Sequence, residues 1–201
     1  GHRVPVPLGQ VGMASDPAIR DHRAWLGYLQ PDGLVVSPAA LVDAQVLLNT
    51  NVAPLQKRFD EFVDAGTEKA PKDPTLTSLS AVLQDFLEWP DDLLYGLNGR
   101  PIPEPLKVPL SNFGETLEPH LALEDPEPAD PNLPWLLLVQ DFPVGTDLDA
   151  PVESAQAGWS ASHTRRLERL LRETGVAIGL IANGAQIRFV YAPRGENAGT
   201  L

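Results

Sequence analysis

The chain contains no cysteine, which excludes disulfides and thiolate metal sites and fits a cytoplasmic setting. No stretch approaches the roughly eighteen uninterrupted apolar residues of a membrane-spanning helix, so no contact with the bilayer interior is expected. Residues 1–10 lack a charged start followed by a long apolar run, so no secretory signal is expected. Three familiar catalytic signatures are missing as well: G-x-S-x-G, the P-loop and H-E-x-x-H. Lysine and arginine are absent from residues 108–164, where ten Asp and Glu stand, and no lysine occurs anywhere from 108 to 201.

What is present is enough for one substantial core: 201 residues, 43% of them hydrophobic. Twenty-one prolines imply long ordered loops. The net charge of −12 is unevenly spread, with nine basic and fourteen acidic residues in 1–107 against six Arg and three Glu in 165–201. Affinity for duplex DNA rests on phosphate neutralisation, so an acidic chain of this kind binds it weakly, through a local patch or with help from other domains.

Residues 1–18 read as an irregular arm and 19–106 as a mainly helical portion. Within it, 21–29 opens a short helix anchored by Trp25 and Tyr28. A second helix spans 37–49, where Ser37 caps and Pro38 occupies the first turn. A third spans 54–63, with Leu55, Phe59, Phe62 and Val63 inward. Residues 66–74 read as a charged, proline-bearing linker, 76–89 as a helix stopped by Pro90, and 91–97 as one more turn. From 107 to 201 the character is that of an α/β core. Residues 108–110 make a brief strand, and 116–124 alternate as a strand whose Pro119 argues for a sheet edge. After an acidic loop, 135–142 form an apolar central strand.

The last stretch, GWSASHTRRLERLLRETGVAIGLIANGAQIRFVYAPRGENAGTL from Gly158 to Leu201, is the most legible. Ser160, Ser162 and Thr164 offer caps for a helix whose Leu167, Leu170 and Leu171 follow helical spacing. Gly175 ends it as a C-cap glycine. Residues 176–182 are an apolar run for a buried strand, and Asn183-Gly184 signals a two-residue type I′ hairpin. On the return strand Ile187, Phe189 and Tyr191 share one face, Arg188 and Val190 the other. The fold class expected is mixed α/β (α+β): a mixed sheet flanked by helices.

The segment GVAIGLIANGAQIRFVYAPRGENAG resembles the end of the N-terminal domain of large bacterial restriction–modification proteins. These are chiefly adenine-methyltransferase-bearing, phage-defence polypeptides related to type IIG and type I enzymes. The resemblance runs more weakly through 134–159 to about residue 21. It implies a restriction-endonuclease-like, PD-(D/E)xK domain ahead of a methyltransferase. In that family the first acid follows a proline at a strand start, and the second acid and a lysine lie on the next strand as hydrophobic-E-x-K. Two or three carboxylates hold Mg²⁺ there. Here the first position reads Pro119-His120, and the next strand offers Gln140 and Asp141 without lysine. The resemblance therefore implies a degenerate, non-catalytic domain that contacts DNA or docks onto a downstream methyltransferase domain or partner subunit. No cofactor is expected for this segment; S-adenosylmethionine belongs only to the implied parent, whose Asn/Asp-Pro-Pro-Tyr/Phe motif is missing here.

Arg165, Arg169 and Arg172 share a helical face with Arg166 beside them, and Arg188 and Arg194 follow; the ridge either meets phosphates or pairs with Glu168 and Glu173. Glu124, Asp125, Asp141, Asp147 and Asp149 match no calcium loop and read as solvated loop acids. His120 and His163 are too far apart in sequence to suggest a site. Two rival functions stand beside the first. One is an active Mg²⁺-dependent endonuclease with acids displaced to Glu118, Asp125 or Asp141; the other is a protein-binding scaffold with an acidic surface.

Overall fold

The computed structural model describes residues 38–45, 51–153, 158–195 and 199–200. The expected arm 1–18 and helix 21–29 lie outside them. The chain divides into two units, Gly1–Gln30 with Val36–Thr50, and Pro31–Val35 with Asn51–Leu201. In the first, a helix α1 covers Pro38–Asp43 and gives way at Gln45, which turns left-handed at φ 55°. It is shorter than the expected 37–49.

The second unit is built on a six-stranded mixed sheet. Its strands are β3 (Leu94–Tyr95), β6 (Leu121–Glu124), β7 (Trp135–Asp141), β10 (Ile178–Ala182), β11 (Ile187–Tyr191) and β12 (Gly199–Thr200), in the order β12-β11-β10-β7-β6-β3. β7 and β10 are parallel, and the other neighbours are antiparallel. A parallel pair needs a crossover, supplied by helix α4 (His163–Thr174). Ser162 caps that helix by accepting the Arg165 N–H at 3.2 Å, and Gly175 closes it at φ 83°.

Side chains alternate along the strands, so each face has its own core. Ala122, Leu138, Ile181 and Val190 pack under Leu167, Leu170 and Leu171 of α4. On the opposite face Leu121, Leu123, Leu137, Val139 and Leu180 pack against Leu79 and Leu83. Helices thus flank the sheet, as the sequence predicts. Gly179 of β10 lets α4 come close: a Cβ there would lie 3.0 Å from a methyl of Leu167 and another of Leu171.

Several local expectations are corrected. Residues 66–74 are no linker; β1 (Val63–Thr67) and β2 (Ala70–Leu76) form an antiparallel hairpin. Lys72 pairs with Asp64 across it, and Gly66 at φ 78° sits where the register shifts. Its prolines are tolerated because this ribbon is all edge. The helix over 54–63 is α2 (Ala53–Phe59) followed by a 3₁₀ turn Asp60–Phe62, and Leu55 is exposed rather than inward. The helix over 76–89 is α3, Leu79–Ala81 continued by a π-helical stretch Val82–Phe86, in which the Leu87 N–H reaches the Val82 carbonyl at 2.9 Å. Its stop is the left-handed Glu88 (φ 58°), ahead of Pro90.

Leu94 and Tyr95, expected in a turn, form β3. The strand over 116–124 is two strands. β5 (Glu115–Leu117) pairs with β4 (Val108–Leu110), while β6 lies inside the main sheet and is not an edge. The break falls at Glu118-Pro119-His120. The β10–β11 turn is not type I′: Asn183 lacks positive φ. Its side-chain oxygen instead accepts the N–H groups of Ala185 and Gln186, giving a longer, Asx-closed loop.

Candidate functional site

The break between β5 and β6 positions the site. His120 donates its backbone N–H to the Val139 carbonyl (2.9 Å), and its ring Nδ1 accepts the Asp141 N–H (2.9 Å). Gln140 reaches back to donate its side-chain nitrogen to the Glu118 carbonyl (2.7 Å). The loop before β6 is thereby stitched to the end of β7. Because α4 crosses over from β7 to β10, its first residue arrives at the same place. The His163 ring lies 4.0 Å from that of Phe142, and Phe142 meets His120 edge-on at 5.3 Å.

These groups line a cleft of about 320 Å³ together with Glu115, Glu118 and Arg166. Its wall is held by Arg166, which is mostly buried. The guanidinium pairs with Glu115, donates to the carbonyls of Ala161 (3.1 Å) and Val152 (2.8 Å), and lies 4.5 Å from the Trp159 ring centre. Glu115 keeps one buried carboxylate oxygen without a partner.

Sequence reasoning missed the pairing of His120 and His163, which a crossover helix brings together across a long separation. A signal was present only in hindsight of topology: one histidine opens a strand and the other opens the helix that follows its neighbour strand. Asp141, named beside Gln140, does not join this cleft. Alternation along β7 turns it to the opposite face, where it lines a second cleft with Thr77, Ser78, Leu79 and Val144. Partial desolvation pushes its carboxyl up from the usual range, offset in part by His120.

Burial pulls the His163 imidazole below its ordinary value of 6.5, with the charges of Arg166 and His120 acting in the same direction. The unfolded chain then binds the extra proton first. Stability should therefore decline as pH falls below about 6.5 towards the folded-state value. Urea midpoints measured from pH 7 to pH 5 check this, and in His163→Asn that part of the slope disappears.

The arginine ridge is largely self-neutralised. Arg165 and Arg172 both approach the buried Glu168, at 2.8 and 3.8 Å, and Arg169 lies between Glu173 (4.0 Å) and the Trp159 ring (5.1 Å). Arg166 faces the cleft wall. Arg188 pairs with Asp149 at 2.8 Å, which lowers that carboxyl, and Arg194 donates to the carbonyls of Arg172 and Glu173 at the end of α4. The remaining acids are dispersed: Glu124 accepts the Tyr95 hydroxyl, while Asp125 and Asp147 close their own turns. Among the described residues no three His, Asp or Glu side chains converge as a metal-holding group. Nor, among the described residues, is any helix long and apolar enough to cross a membrane.

Compared with known proteins, the chain matches no family model, no curated protein and no solved structure.

Proposed function

We propose that this chain is a degenerate, non-catalytic nuclease-like domain of a cytoplasmic bacterial restriction–modification or phage-defence DNA methyltransferase, docking onto the rest of that enzyme. One observation carries the reading. The residue after a proline at the start of β6 and the polar residue on adjacent β7 do stand side by side at one cleft, yet they are His120 and Gln140. With Gln140 at the second-acid position, the place two residues on belongs to Phe142, whose ring is packed between two imidazoles.

A divalent cation of the Mg²⁺ type prefers several carboxylate or carbonyl oxygens. At the family's acid, acid and lysine positions stand an imidazole, a neutral amide and a phenyl ring, which do not fit it. Of the displaced acids in the rival endonuclease reading, Glu118 lines the cleft, but Asp125 closes its own turn and Asp141 faces the other side of the sheet, so the three do not converge. The pairing of Arg165, Arg169 and Arg172 with Glu168 and Glu173 favours docking over direct, unassisted DNA contact.

Supercoiled plasmid incubated with the protein and Mg²⁺ or Mn²⁺ should stay intact, and the same gene should encode an Asn/Asp-Pro-Pro-Tyr/Phe motif outside these residues. Metal-dependent nicking that is lost in Asp141→Asn would overturn the non-catalytic assignment. A complete gene without a methyltransferase would remove the assigned context.

A further inference from the structure

Two side chains in the cleft have their polarity set by main-chain groups that allow no alternative. The Asp141 N–H can only donate, so His120 Nδ1 accepts it and the neutral ring carries its proton on Nε2. The Glu118 carbonyl can only accept, so the Gln140 atom 2.7 Å from it is the nitrogen, and the amide oxygen Oε1 is turned away. Leu121 pairs with Val139, which sets His120 opposite Gln140 on neighbouring strands, on one face. Neither His120 Nε2 nor Gln140 Oε1 has a hydrogen-bond partner among the described residues. Glu118, beside Gln140 through that same carbonyl bond, also lines the cleft, and its residue is exposed.

The residues lining the cleft therefore include one with a fixed free donor, one with a fixed free acceptor, and the carboxylate of Glu118. We infer that the cleft binds a guanine base. Guanine's edge carries a keto oxygen, a ring N–H and an exocyclic amine in a row. These match His120 Nε2–H, Gln140 Oε1 and the Glu118 carboxylate respectively. Adenine has an acceptor where guanine has the ring N–H, and would set its lone pair against Gln140 Oε1. Phe142 and Leu170 give the site apolar walls, and about 320 Å³ lies at the low end of small-molecule sites, roughly 300–1,000 Å³.

Glu115 is neutralised by Arg166, so the exposed Glu118 carboxylate is the charge that repels phosphate, and the base enters while any phosphate stays outside. The base can belong to a free nucleoside or to a single strand. The inference rests on the cleft alone and does not depend on the nuclease-like reading.

The test is titration with guanosine, inosine, adenosine and 1-methylguanosine, followed by calorimetry and by the NMR signal of the Gln140 side-chain amide. A parallel arm uses an oligothymidylate with one central guanine, and the same strand with inosine in its place. Guanosine should bind about tenfold tighter than inosine, which lacks the amine, and than 1-methylguanosine, which lacks the ring N–H. Glu118→Ala should erase the guanosine–inosine difference, and Gln140→Ala should weaken guanosine by about tenfold in a protein still folded by circular dichroism. Binding of the guanine strand without binding of guanosine assigns the base to a strand. Equal binding of guanosine and adenosine, or no binding of any nucleoside or strand, overturns the inference.

Discussion

Replacing Ile181 with aspartate should leave the protein without a cooperative unfolding transition. Ile181 is fully buried on β10, between Gln140 of β7 and Arg188 of β11, and its side chain lies in the core under α4. Losing its burial removes about 2–3 kcal/mol. Placing an unpaired carboxylate there adds several kcal/mol more, unless the group protonates. The sum approaches the roughly 5–15 kcal/mol that holds a whole domain together. Ile187→Asp is the matched control. That side chain is 43% exposed, so the variant should fold with little change in its circular dichroism. A well-folded Ile181→Asp protein would mean that β10 is not a central strand.

The second large effect is expected at Arg166. Its side chain is only 11% exposed, and its ion-pair partner Glu115 is 23% exposed. Removing the arginine strands a carboxylate that already has one unpartnered buried oxygen, and empties two backbone acceptors. Breaking one side of a buried pair costs about 3–5 kcal/mol. Arg165 lies next to it in sequence but is 71% exposed, and its buried partner Glu168 keeps Arg172 at 3.8 Å, so truncation of Arg165 should cost only about 1 kcal/mol. Urea unfolding of Arg166→Ala and Arg165→Ala compares the two. The double replacement Arg166→Met with Glu115→Leu should recover much of the loss, because no charge is then left buried. Equal effects at 165 and 166 would show that the cleft wall is not held in this way.

The contrast between those neighbours also marks how far residue types alone can be read. The stretch from Ser162 to Tyr191 was legible because its signals are local: a capping serine, leucines at helical spacing, a C-cap glycine and a run of β-formers. The turn at Asn183 was misread because the asparagine side chain closes the loop itself, so its backbone has no need of a left-handed conformation.

The β1–β2 hairpin was invisible because Pro71 and Pro74 read as breakers, while its register depends on a cross-strand ion pair and a bulge glycine. At the site, Pro119-His120 and Gln140 could be named from the resemblance, and the sheet brings the two strands together. The contribution of His163 depends on a parallel crossover, and the orientation of Gln140 on a carbonyl two residues before His120. Neither is written in any spacing. Likewise Arg166 could not be told from Arg165, Arg169 and Arg172 until Glu115 and Trp159 were seen against it.

The bare α-carbon at Gly179 has an effect felt well beyond its own strand. Two leucines rest directly on main chain there, and this contact acts as the stop against which α4 is seated. His163 stands one helical turn ahead of the first of those leucines, so its standoff from Phe142 is set by the same seat. A methyl group at 179 would act as a shim, and the gap it opened would be read at the mouth of the cleft.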